Sequence, residues 1–398
     1  MSTRRKIVLI GNFLPDRQES MLRFEHALSD GFLGRGLPVE IWRPEPVFAR
    51  WVRDYRYSGF PKYLGYLDKF VLFPRTIRKR LRRAAPDAVY HIVDHANAVY
   101  ARHFSAVPLV VTCHDLLQVR SALGEFPQNP LTRSGQKYQR WILEGLSRLR
   151  CTACVSEKTR TDLLRLTSLP SEAAHIISNG LNYQYQPVPI TEAGPILDAA
   201  LRRQNLKWPG NSTGRPRFLF SIGGAQWYKN RTGLVKIFGE LKKRLGPTHA
   251  FLYAGPPFDA EQERLIEELG LRGSLLRVPQ LSNEELRASY SLADGLVFPS
   301  WEEGFGWPIA EAQACGCPVF TSNRAPMTEV GGEAACYFDP ADPAGAAEAI
   351  VNGLALPESL RAAELLHARR WNPQLMLDAY LKLYDGLPPF SHPSVNSK

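Results

Sequence analysis

A glycine-rich loop set between an apolar run and a short helix constrains the fold of this chain more than any other stretch. Gly295–Phe298 is an apolar run typical of a buried strand, and Gly304 and Gly306 follow it. Pro308 suits the first turn of a helix, and Gly316 suits its end. A strand that passes through a glycine loop into a helix is characteristic of a parallel α/β sheet. The open N–H groups at such a helix start favour a phosphate or another anion.

The same alternation of strand and helix recurs along the chain. Residues 6–11 and Val39–Trp42 have strand character, and the helical spacing of residues 21–32 lies between them. A length of 398 residues, with 44% hydrophobic and 22% charged residues, fits a soluble protein of two or three domains. No Gly-x-Gly-x-x-Gly motif follows the first strand, which removes the best support for a dinucleotide-dependent dehydrogenase.

Two acidic residues belong to the glycine-loop unit, Glu303 in the loop and Glu311 in the helix. Glu311 lies among alanines and Ile309, so its carboxylate must be exposed or have a partner, because burying a lone charge is costly. Vicinal sugar hydroxyls would suit it, since an ionised carboxylate only accepts hydrogen bonds. The alternative is a surface glutamate on an ordinary helix. The coincidence of strand, glycine loop and helix start favours a ligand site.

The segment from Glu303 to Glu311 resembles the glutamate–seven residues–glutamate motif of the family 4 retaining glycosyltransferases. Residues 154–164, 175–180 and 312–322 extend the resemblance, which covers nearly the whole chain. It implies the GT-B fold, an α/β architecture of two Rossmann-like, doubly wound domains that face a central cleft.

The resemblance also implies a domain organisation. We expect an N-terminal acceptor-side domain over 1–188, a C-terminal nucleotide-sugar-binding domain over 189–385, and a flexible tail over 388–398. The connection at 186–216 is rich in Pro and Gly, and the last helix, at about 371–387, is expected to return to the first domain.

In the family, the first glutamate of the motif faces the donor sugar and the second binds the ribose, which implies these roles for Glu303 and Glu311. Lys229 matches the lysine that binds the donor diphosphate. Relatives often place an arginine where Gly224 stands, which leaves Arg231 to assist Lys229. The expected donor-binding residues are Gly223, Gly224, Lys229, Arg231, Gln280, Leu281, Glu303, Gly304, Phe305, Gly306 and Glu311.

A second set of candidates follows the strands of the N-terminal half, because ligands bind where parallel strands end. His114 comes after an apolar run at 107–112, where the family often has a histidine near the transferred sugar. The resemblance therefore implies a catalytic role for His114 together with Glu303 and Lys229. Candidates for the acceptor side are Asn12, Asp94, His95 and Asp115. Asn12 stands where many relatives carry a glycine pair.

The net charge of +10 is unevenly distributed. Residues 1–188 carry 28 Lys and Arg against 16 Asp and Glu, whereas the remainder carries 21 against 23. The densest basic segment, 69–83, has helical spacing of its apolar residues. It is either a surface helix packed by its apolar side or a helix that lies on an anionic membrane surface.

The six cysteines include a Cys151-x-x-Cys154 pair within an apparent buried strand. No second pair lies nearby, so structural thiols in a reducing cytoplasm are favoured over zinc or redox chemistry. No acidic Asp-x-Asp cluster has a suitable context, and we predict that neither a metal nor another cofactor is required.

The resemblance implies a retaining hexosyltransferase that moves a sugar from a nucleoside-diphosphate sugar to a glycan or polyprenyl-linked acceptor in polysaccharide biosynthesis. GDP-mannose is marginally favoured as donor, and UDP-sugars follow. The expected location is the cytoplasm, with possible peripheral association at the inner face of the cytoplasmic membrane. The alternatives are another GT-B enzyme, an epimerase or phosphorylase, or a protein that binds nucleic acid or another anionic surface through its basic half.

Overall fold

The computed structural model describes residues 5–52, 55, 59–83, 85, 87–208, 216–246 and 249–388. The chain divides into unit 1, Met1–Asn182 with Pro373–Lys398, and unit 2, Tyr183–Asn372. Each unit is an α/β domain built on one six-stranded parallel sheet. The boundary after Asn182 falls before the position at 188 that the sequence analysis expected.

Unit 1 is built on a sheet with the strand order β2-β1-β3-β4-β5-β6. Its strands are β1 (Ile7–Ile10), β2 (Val39–Trp42), β3 (Val89–Ile92), β4 (Leu109–Cys113), β5 (Thr152–Cys154) and β6 (Ala174–Ile176). Every residue of β1 and β3 is buried. These central strands are buried throughout because helices cover both faces of a parallel sheet.

The helices of unit 1 follow its strands. They are α1 (Glu19–Gly34), α2 (Gly59–Leu67), α3 (Phe73–Leu81), α4 (Leu117–Ala122), α5 (Arg133–Leu146) and α6 (Glu157–Leu166). A π-helical turn, Asp68–Leu72, joins α2 to α3, and a 3-10 helix, His95–His103, follows β3. Ser156 caps α6 by accepting a hydrogen bond from the Thr159 N–H at 3.1 Å.

Unit 2 repeats this architecture with the strand order β12-β11-β10-β7-β8-β9. Its strands are β7 (Arg217–Ile222), β8 (His249–Ala254), β9 (Leu275–Val278), β10 (Gly295–Phe298), β11 (Val319–Ser322) and β12 (Cys336–Phe338). β7 and β10 are neighbours at the centre of the sheet. The loops that follow them therefore emerge side by side at its carboxyl edge, where ligands bind in such sheets.

The helices of unit 2 are α7 (Ile190–Arg203), α8 (Arg231–Leu245), α9 (Ala260–Glu268), α10 (Asn283–Leu292), α11 (Trp307–Ala314), α12 (Met327–Gly331), α13 (Pro343–Leu354) and α14 (Pro357–His367). Ser282 and Glu285 form a reciprocal capping box at the start of α10. Within the connection that is rich in Pro and Gly, α7 begins at Ile190 and continues through Pro195.

The final helix, α15 (Pro373–Asp385), belongs to unit 1. Its Tyr380 and Tyr384 are buried, and the Tyr384 hydroxyl lies 2.6 Å from Nδ1 of His91 on β3. Thr112 lies 2.7 Å from the other ring nitrogen of His91. Burial lowers the pKa of His91 to about 3, so this histidine is a neutral part of the core. Of the expected tail, only Pro388 lies within the described residues.

The paired cysteines lie in the core of unit 1. Cys154 ends β5 and Cys151 precedes it, and both thiols are free and buried. Burial raises the pKa of each thiol to about 12, which keeps it protonated and unreactive. This environment supports the structural role that the sequence analysis favoured.

The basic segment at 69–83 forms part of the π turn and α3, and its apolar side is not available to a membrane. Phe73 and Ile77 are buried in the core of unit 1. Lys69, the first residue of the segment, is itself buried in an ion pair with Asp16. The apolar side packs inward because it completes the core beneath the sheet. No helix among the described residues combines the length and apolar character needed to cross a membrane.

Candidate active site

The predicted strand, glycine loop and helix are confirmed as β10, residues 299–306 and α11. Gly306 enters α11 with a φ of 103°, a conformation that side chains with a Cβ rarely adopt. Pro308 lies in the first turn of the helix, where a missing N–H costs no hydrogen bond. Within that turn the Ile309 N–H donates to the Gly306 carbonyl oxygen at 2.9 Å, and the start of the helix lies at the carboxyl edge of the sheet.

Lys229 and Glu303 form an ion pair at this edge. The Lys229 Nζ lies 2.6 Å from Oε1 of Glu303, and the Ser300 hydroxyl donates to the same oxygen at 2.8 Å. The second oxygen, Oε2 of Glu303, makes no hydrogen bond within the described part of the chain and is not enclosed. The structure thus brings together two of the three residues predicted to be catalytic. A ligand phosphate could replace Glu303 as the partner of Lys229.

The glycine turn after β7 shapes the space around Lys229. A Cβ on Gly223 would lie 3.6 Å from Cδ of Lys229, so the lysine stem runs along this glycine. A Cβ on Gly224 would lie 2.2 Å from Oε1 of Gln226. The Gln226 side chain therefore fills the space beside Gly224, the position at which relatives often carry an arginine.

Asn230 ties the two loops together. Its backbone is left-handed, with a φ of 50°, and its Oδ1 caps α8 through the Gly233 N–H at 3.1 Å. Its Nδ2 donates to the carbonyl oxygens of Pro299 at 3.0 Å and Pro340 at 3.2 Å. The sequence analysis missed Asn230 and Ser300. An asparagine directly before a predicted helix was the available signal for Asn230.

Arg231, expected to assist Lys229, is engaged with the backbone of another loop. Its Nη2 donates to the carbonyl oxygen of Pro257 at 2.5 Å and more weakly to that of Pro256 at 3.3 Å. Its guanidinium also lies 5.0 Å from the ring centre of Phe258. The geometry gives Arg231 a structural role in holding this loop, and its contact with a donor stays a prediction.

Glu311 is buried in α11 and has a partner that the sequence did not indicate. The Tyr290 hydroxyl on α10 donates to Oε2 of Glu311 at 2.9 Å. Burial, together with the nearby Glu311 carboxylate, raises the pKa of Tyr290, so this hydroxyl remains a donor. The requirement for a partner was correctly predicted, but no local pattern could have identified one 21 positions away.

The remaining predicted donor contacts differ in accessibility. Phe305 is buried, with its ring edge-on to Trp371 at a centroid distance of 5.4 Å, so its side chain anchors the loop. Leu281 is buried before α10, whereas Gln280 is exposed. The Gln280 carbonyl accepts only a long hydrogen bond, 3.4 Å, from Gln204. The backbone of residues 304–306 remains the part of this loop suited to a ligand.

In unit 1, the predicted acceptor-side residues gather at the carboxyl ends of three neighbouring strands. Asn12 follows β1, Asp94 and His95 follow β3, and His114 follows β4. Asn12 Nδ2 donates to Oδ2 of Asp94 at 2.6 Å. Asn97, which the sequence analysis missed, donates to Oδ1 of Asn12 at 2.6 Å. The strand order of the sheet is what brings these distant residues together.

His114 is a neutral, buried member of this cluster. Its Nε2 lies 2.8 Å from the carbonyl oxygen of Val93. A carbonyl only accepts, so Nε2 carries the proton. Burial lowers the pKa of His114, although the nearby Asp94 carboxylate opposes this effect. Nδ1 makes no hydrogen bond within the described residues and is the ring atom open to a ligand. Asp115 is occupied in a turn, where its Oδ1 accepts from the Leu117 N–H at 3.0 Å.

A buried ion pair beside this cluster escaped the sequence analysis. Glu25 on α1 pairs with Arg43, which directly follows β2. The carboxylate lies against Gly11, where a Cβ would come within 1.8 Å of Oε2 of Glu25. Burial raises the pKa of Glu25, and Arg43 counteracts the rise. Nothing in the sequence of α1 indicates that Glu25 is buried rather than exposed on the surface of the helix.

The described residues contain no group of three or more His, Cys, Asp or Glu side chains that could hold a metal ion. Metal independence stays a prediction, as does the absence of a cofactor.

Two family models match the chain in succession. Glycosyltransferase family 4 matches residues 24–185, and glycosyl transferases group 1 matches residues 202–364. Together they span most of both units. The chain therefore belongs to the family 4 glycosyltransferases, as the motif from Glu303 to Glu311 predicts.

Individual relatives are about a quarter identical to the chain over the aligned residues. O-antigen chain mannosyltransferase B of Escherichia coli is 27% identical over 203 residues, which is 50% of each chain. The D-inositol 3-phosphate glycosyltransferase of Arthrobacter sp. is 26% identical over 331 residues, 77% of this chain and 73% of that one.

Solved structures establish the fold. Sucrose-phosphate synthase from Thermosynechococcus elongatus superposes with a TM-score of 0.71 and 18% identity, covering 96% of this chain and 98% of that one. Anabaena HepE, in complex with UDP and glucose, superposes with a TM-score of 0.68 and 15% identity, covering 96% of this chain and 100% of that one. The GT-B fold expected from the sequence is confirmed.

Proposed function

We propose that this chain is a retaining glycosyltransferase that moves a sugar from a nucleoside-diphosphate sugar to a hydroxyl group of a glycan or lipid-linked acceptor. The contact between Lys229 and Glu303 carries the proposal, because it places one cation and one carboxylate at the carboxyl edge of the sheet in unit 2. Membership of the family supports the reaction class.

The main barrier to such a transfer is the negative charge that develops on the departing diphosphate. Lys229 pairs with that charge, and the N–H groups of residues 304–306 and the start of α11 add to its stabilisation. When the diphosphate arrives, Lys229 exchanges Glu303 for a phosphate oxygen. Glu303 stays attached to Ser300 and turns its free Oε2 toward the sugar.

Glu303 acts on the sugar rather than as a covalent nucleophile. Its carboxylate orients the ring and stabilises the positive charge that develops at the anomeric carbon. The acceptor hydroxyl then attacks from the face that the diphosphate leaves, with the departing phosphate taking the proton, and the anomeric configuration is retained. Glu311 binds the ribose, and Gln280 and Leu281 lie against the base.

The donor we favour is GDP-mannose, with UDP-sugars next. An O-antigen chain mannosyltransferase and a serotype-specific mannosyltransferase of Escherichia coli are among the relatives, which supports mannose and a role in cell-surface polysaccharide synthesis. HepE, a structural neighbour, was solved with UDP, which supports UDP-sugars as the second candidate donors.

We place the acceptor with unit 1. His114 contacts the transferred sugar through Nδ1, and Asn12, Asp94, His95 and Asp115 form the surroundings of the acceptor. The cluster combines the Asp94 carboxyl group with amide and imidazole donors and acceptors, all of which can hydrogen-bond a hydroxyl substrate. We propose that the reaction needs no metal, and that the enzyme works in the cytoplasm at the inner face of the membrane.

A thermal-shift panel of GDP, GDP-mannose, UDP and UDP-glucose tests the proposal, because a ligand of the native state raises its melting temperature. We expect one diphosphate and its sugar to raise the melting temperature in wild type and to have little effect in Lys229→Ala. Lys236→Ala, an exposed lysine of α8, is the control. NMR of the product would then show retention, with and without a chelator. A panel without any shift would contradict the proposal, and tight RNA binding that weakens steeply with salt would favour the alternative class.

A further inference from the structure

The outer face of the continuous helix formed by α2, the π turn and α3 is apolar over its first half. Phe60, Tyr63, Leu67 and Val71 are all exposed, with 72% of Phe60 and 62% of Tyr63 accessible. Their spacing of three or four residues places them in one row along the helix. Trp51, 77% exposed, precedes α2 in a 3-10 helix that contacts it. Such a concentration of exposed apolar side chains marks an interaction surface.

The inner face of this helix is fixed to unit 1 by two charged side chains of the π turn. Asp68 accepts hydrogen bonds from the N–H groups of Phe48 and Ala49, both at 2.9 Å. Lys69 pairs with Asp16 at 2.7 Å, and both charges are largely removed from solvent. The extra residue of a π turn lets Asp68 and Lys69 both point inward while the outer row continues. The fold itself therefore holds the apolar row outward.

The same face becomes basic over its second half. After Val71, the exposed residues of the row are Arg75, Arg78, Lys79 and Arg82. Residues 43–83 carry twelve Lys and Arg against three Asp and Glu, a net charge of +9 in a chain with a net charge of +10. The surface therefore combines apolar side chains with a strong local positive charge.

We infer that this docking face, formed by Trp51, Phe60, Tyr63, Leu67 and Val71 with the basic row from Arg75 to Arg82, binds an anionic lipid surface. Aromatic side chains with a polar edge, such as Trp and Tyr, are favoured where lipid meets water. Basic side chains beside them attract anionic headgroups. A second copy of the chain is a poor occupant, because a two-fold contact would set one basic row against the other.

The inference deepens the proposed function, and its biological purpose rests on that function, since a lipid-linked acceptor is reached at a membrane. It also assigns the membrane contact to a different face of the helix from the apolar side of 69–83. The apolar side of 69–83 is buried in unit 1, whereas the outer face of residues 59–82 is free to bind.

Flotation of the full chain with vesicles tests the inference without any sugar transfer. Phosphatidylcholine vesicles with and without phosphatidylglycerol are the probes. We expect binding to phosphatidylglycerol vesicles that falls with salt, and at least about tenfold weaker binding after Phe60→Ser, Tyr63→Ser and Leu67→Ser are combined. Combined Arg75→Glu, Arg78→Glu and Lys79→Glu should remove the preference for the anionic lipid.

The matched control combines Ile190→Ser, Leu356→Ser and Leu366→Ser, which remove equally exposed apolar side chains from unit 2 and should leave vesicle binding unchanged. An unchanged nucleotide-induced thermal shift in the docking-face variants would show that they are folded and would separate this inference from the proposed function. Equal binding by wild type and both docking-face variants would overturn the inference. A different result would also overturn it: wild type fails to bind vesicles, forms a dimer in sedimentation, and loses that dimer in the apolar triple variant.

Discussion

The strand ends of unit 2 and those of unit 1 hold their polar side chains in different ways. In unit 2, Lys229 and Glu303 form a charged contact across two loops, and one oxygen of Glu303 remains open. In unit 1, Asn12 donates a hydrogen bond to Asp94 and accepts one from Asn97, and His114 donates one to a backbone carbonyl. The first arrangement holds charge that a ligand can redirect, and the second surrounds the Asp94 carboxyl group with amide and imidazole groups whose positions are already fixed by hydrogen bonds.

This difference teaches how the work can be divided within one chain. An ion pair that must receive a diphosphate has to be able to separate, because its cation and its carboxylate each take a new partner when the substrate binds. A surface that positions a hydroxyl acceptor gains from groups that do not move. Removing a charge from unit 2 should therefore lower the reaction rate most. Substitutions that delete buried hydrogen bonds should mainly lower the stability of the fold.

The largest expected effect follows from breaking the charged contact. Lys229→Ala and Glu303→Gln should each lower turnover by about 10²–10³-fold, the loss typical of one group that stabilises transition-state charge. Steady-state kinetics with the donor identified in the thermal-shift panel would measure it. The double variant should lose less than the product of the two single losses, because the residues act on one charge movement.

Lys236→Ala serves as the control on the same helix, and each variant should unfold at nearly the wild-type temperature. Turnover close to wild type in either single variant would show that this contact is a structural ion pair.

The sequence predicted most of what lies within a single loop and little of what joins separate loops. The glycine turns, Pro308 and the motif from Glu303 to Glu311 were all readable, because spacing within one segment determines their geometry. Asn230 and Tyr290 were not, since their partners lie 69 and 21 positions away.

The basic segment shows the same limit at the level of a whole helix. Its amphipathic pattern was recognised correctly, but the pattern cannot say whether a protein core or a lipid surface covers the apolar side. The π turn settled that question for Lys69 by burying it beside Asp16. The extra residue of a π-helical turn changes which side chains face inward, and this change cannot be detected from the spacing of apolar residues.

A second prediction separates the two units by the pH dependence of their stability. Burial raises the pKa of Glu364 in unit 2 to about 8 from 4.5, opposed by Gln313 and the Val319 N–H. The unfolded chain releases this proton first, so unit 2 loses stability as pH rises from 4.5 to 8. His91 in unit 1, with a pKa of about 3 against 6.5, gives the opposite sign, and unit 1 loses stability as pH falls below 6.5.

Denaturation of Glu364→Gln and His91→Gln at several pH values would measure this. Each residue can contribute a slope of up to about 1.4 kcal/mol per pH unit within its window. Relative to wild type, Glu364→Gln should gain stability between pH 6 and 8, and the deficit of His91→Gln should shrink between pH 6.5 and 5. The two variants are controls for each other. Parallel pH profiles for both would mean that these groups are not buried as the structure has them.

The smallest expected effect concerns the hydroxyl that supports Glu311. Tyr290→Phe deletes the hydrogen bond of 2.9 Å to the carboxylate but leaves the ring contacts, so the fold should lose about 1–2 kcal/mol of stability. Calorimetry with the preferred diphosphate should show affinity reduced only a few-fold, whereas Glu311→Gln should reduce it at least about tenfold. Tyr380→Phe deletes the matching hydroxyl in unit 1, 2.8 Å from Thr112, and should lower stability without changing nucleotide affinity. Equal losses of affinity in the two tyrosine variants would mean that nucleotide binding reports general stability, and Tyr290 would then have no particular role in orienting Glu311.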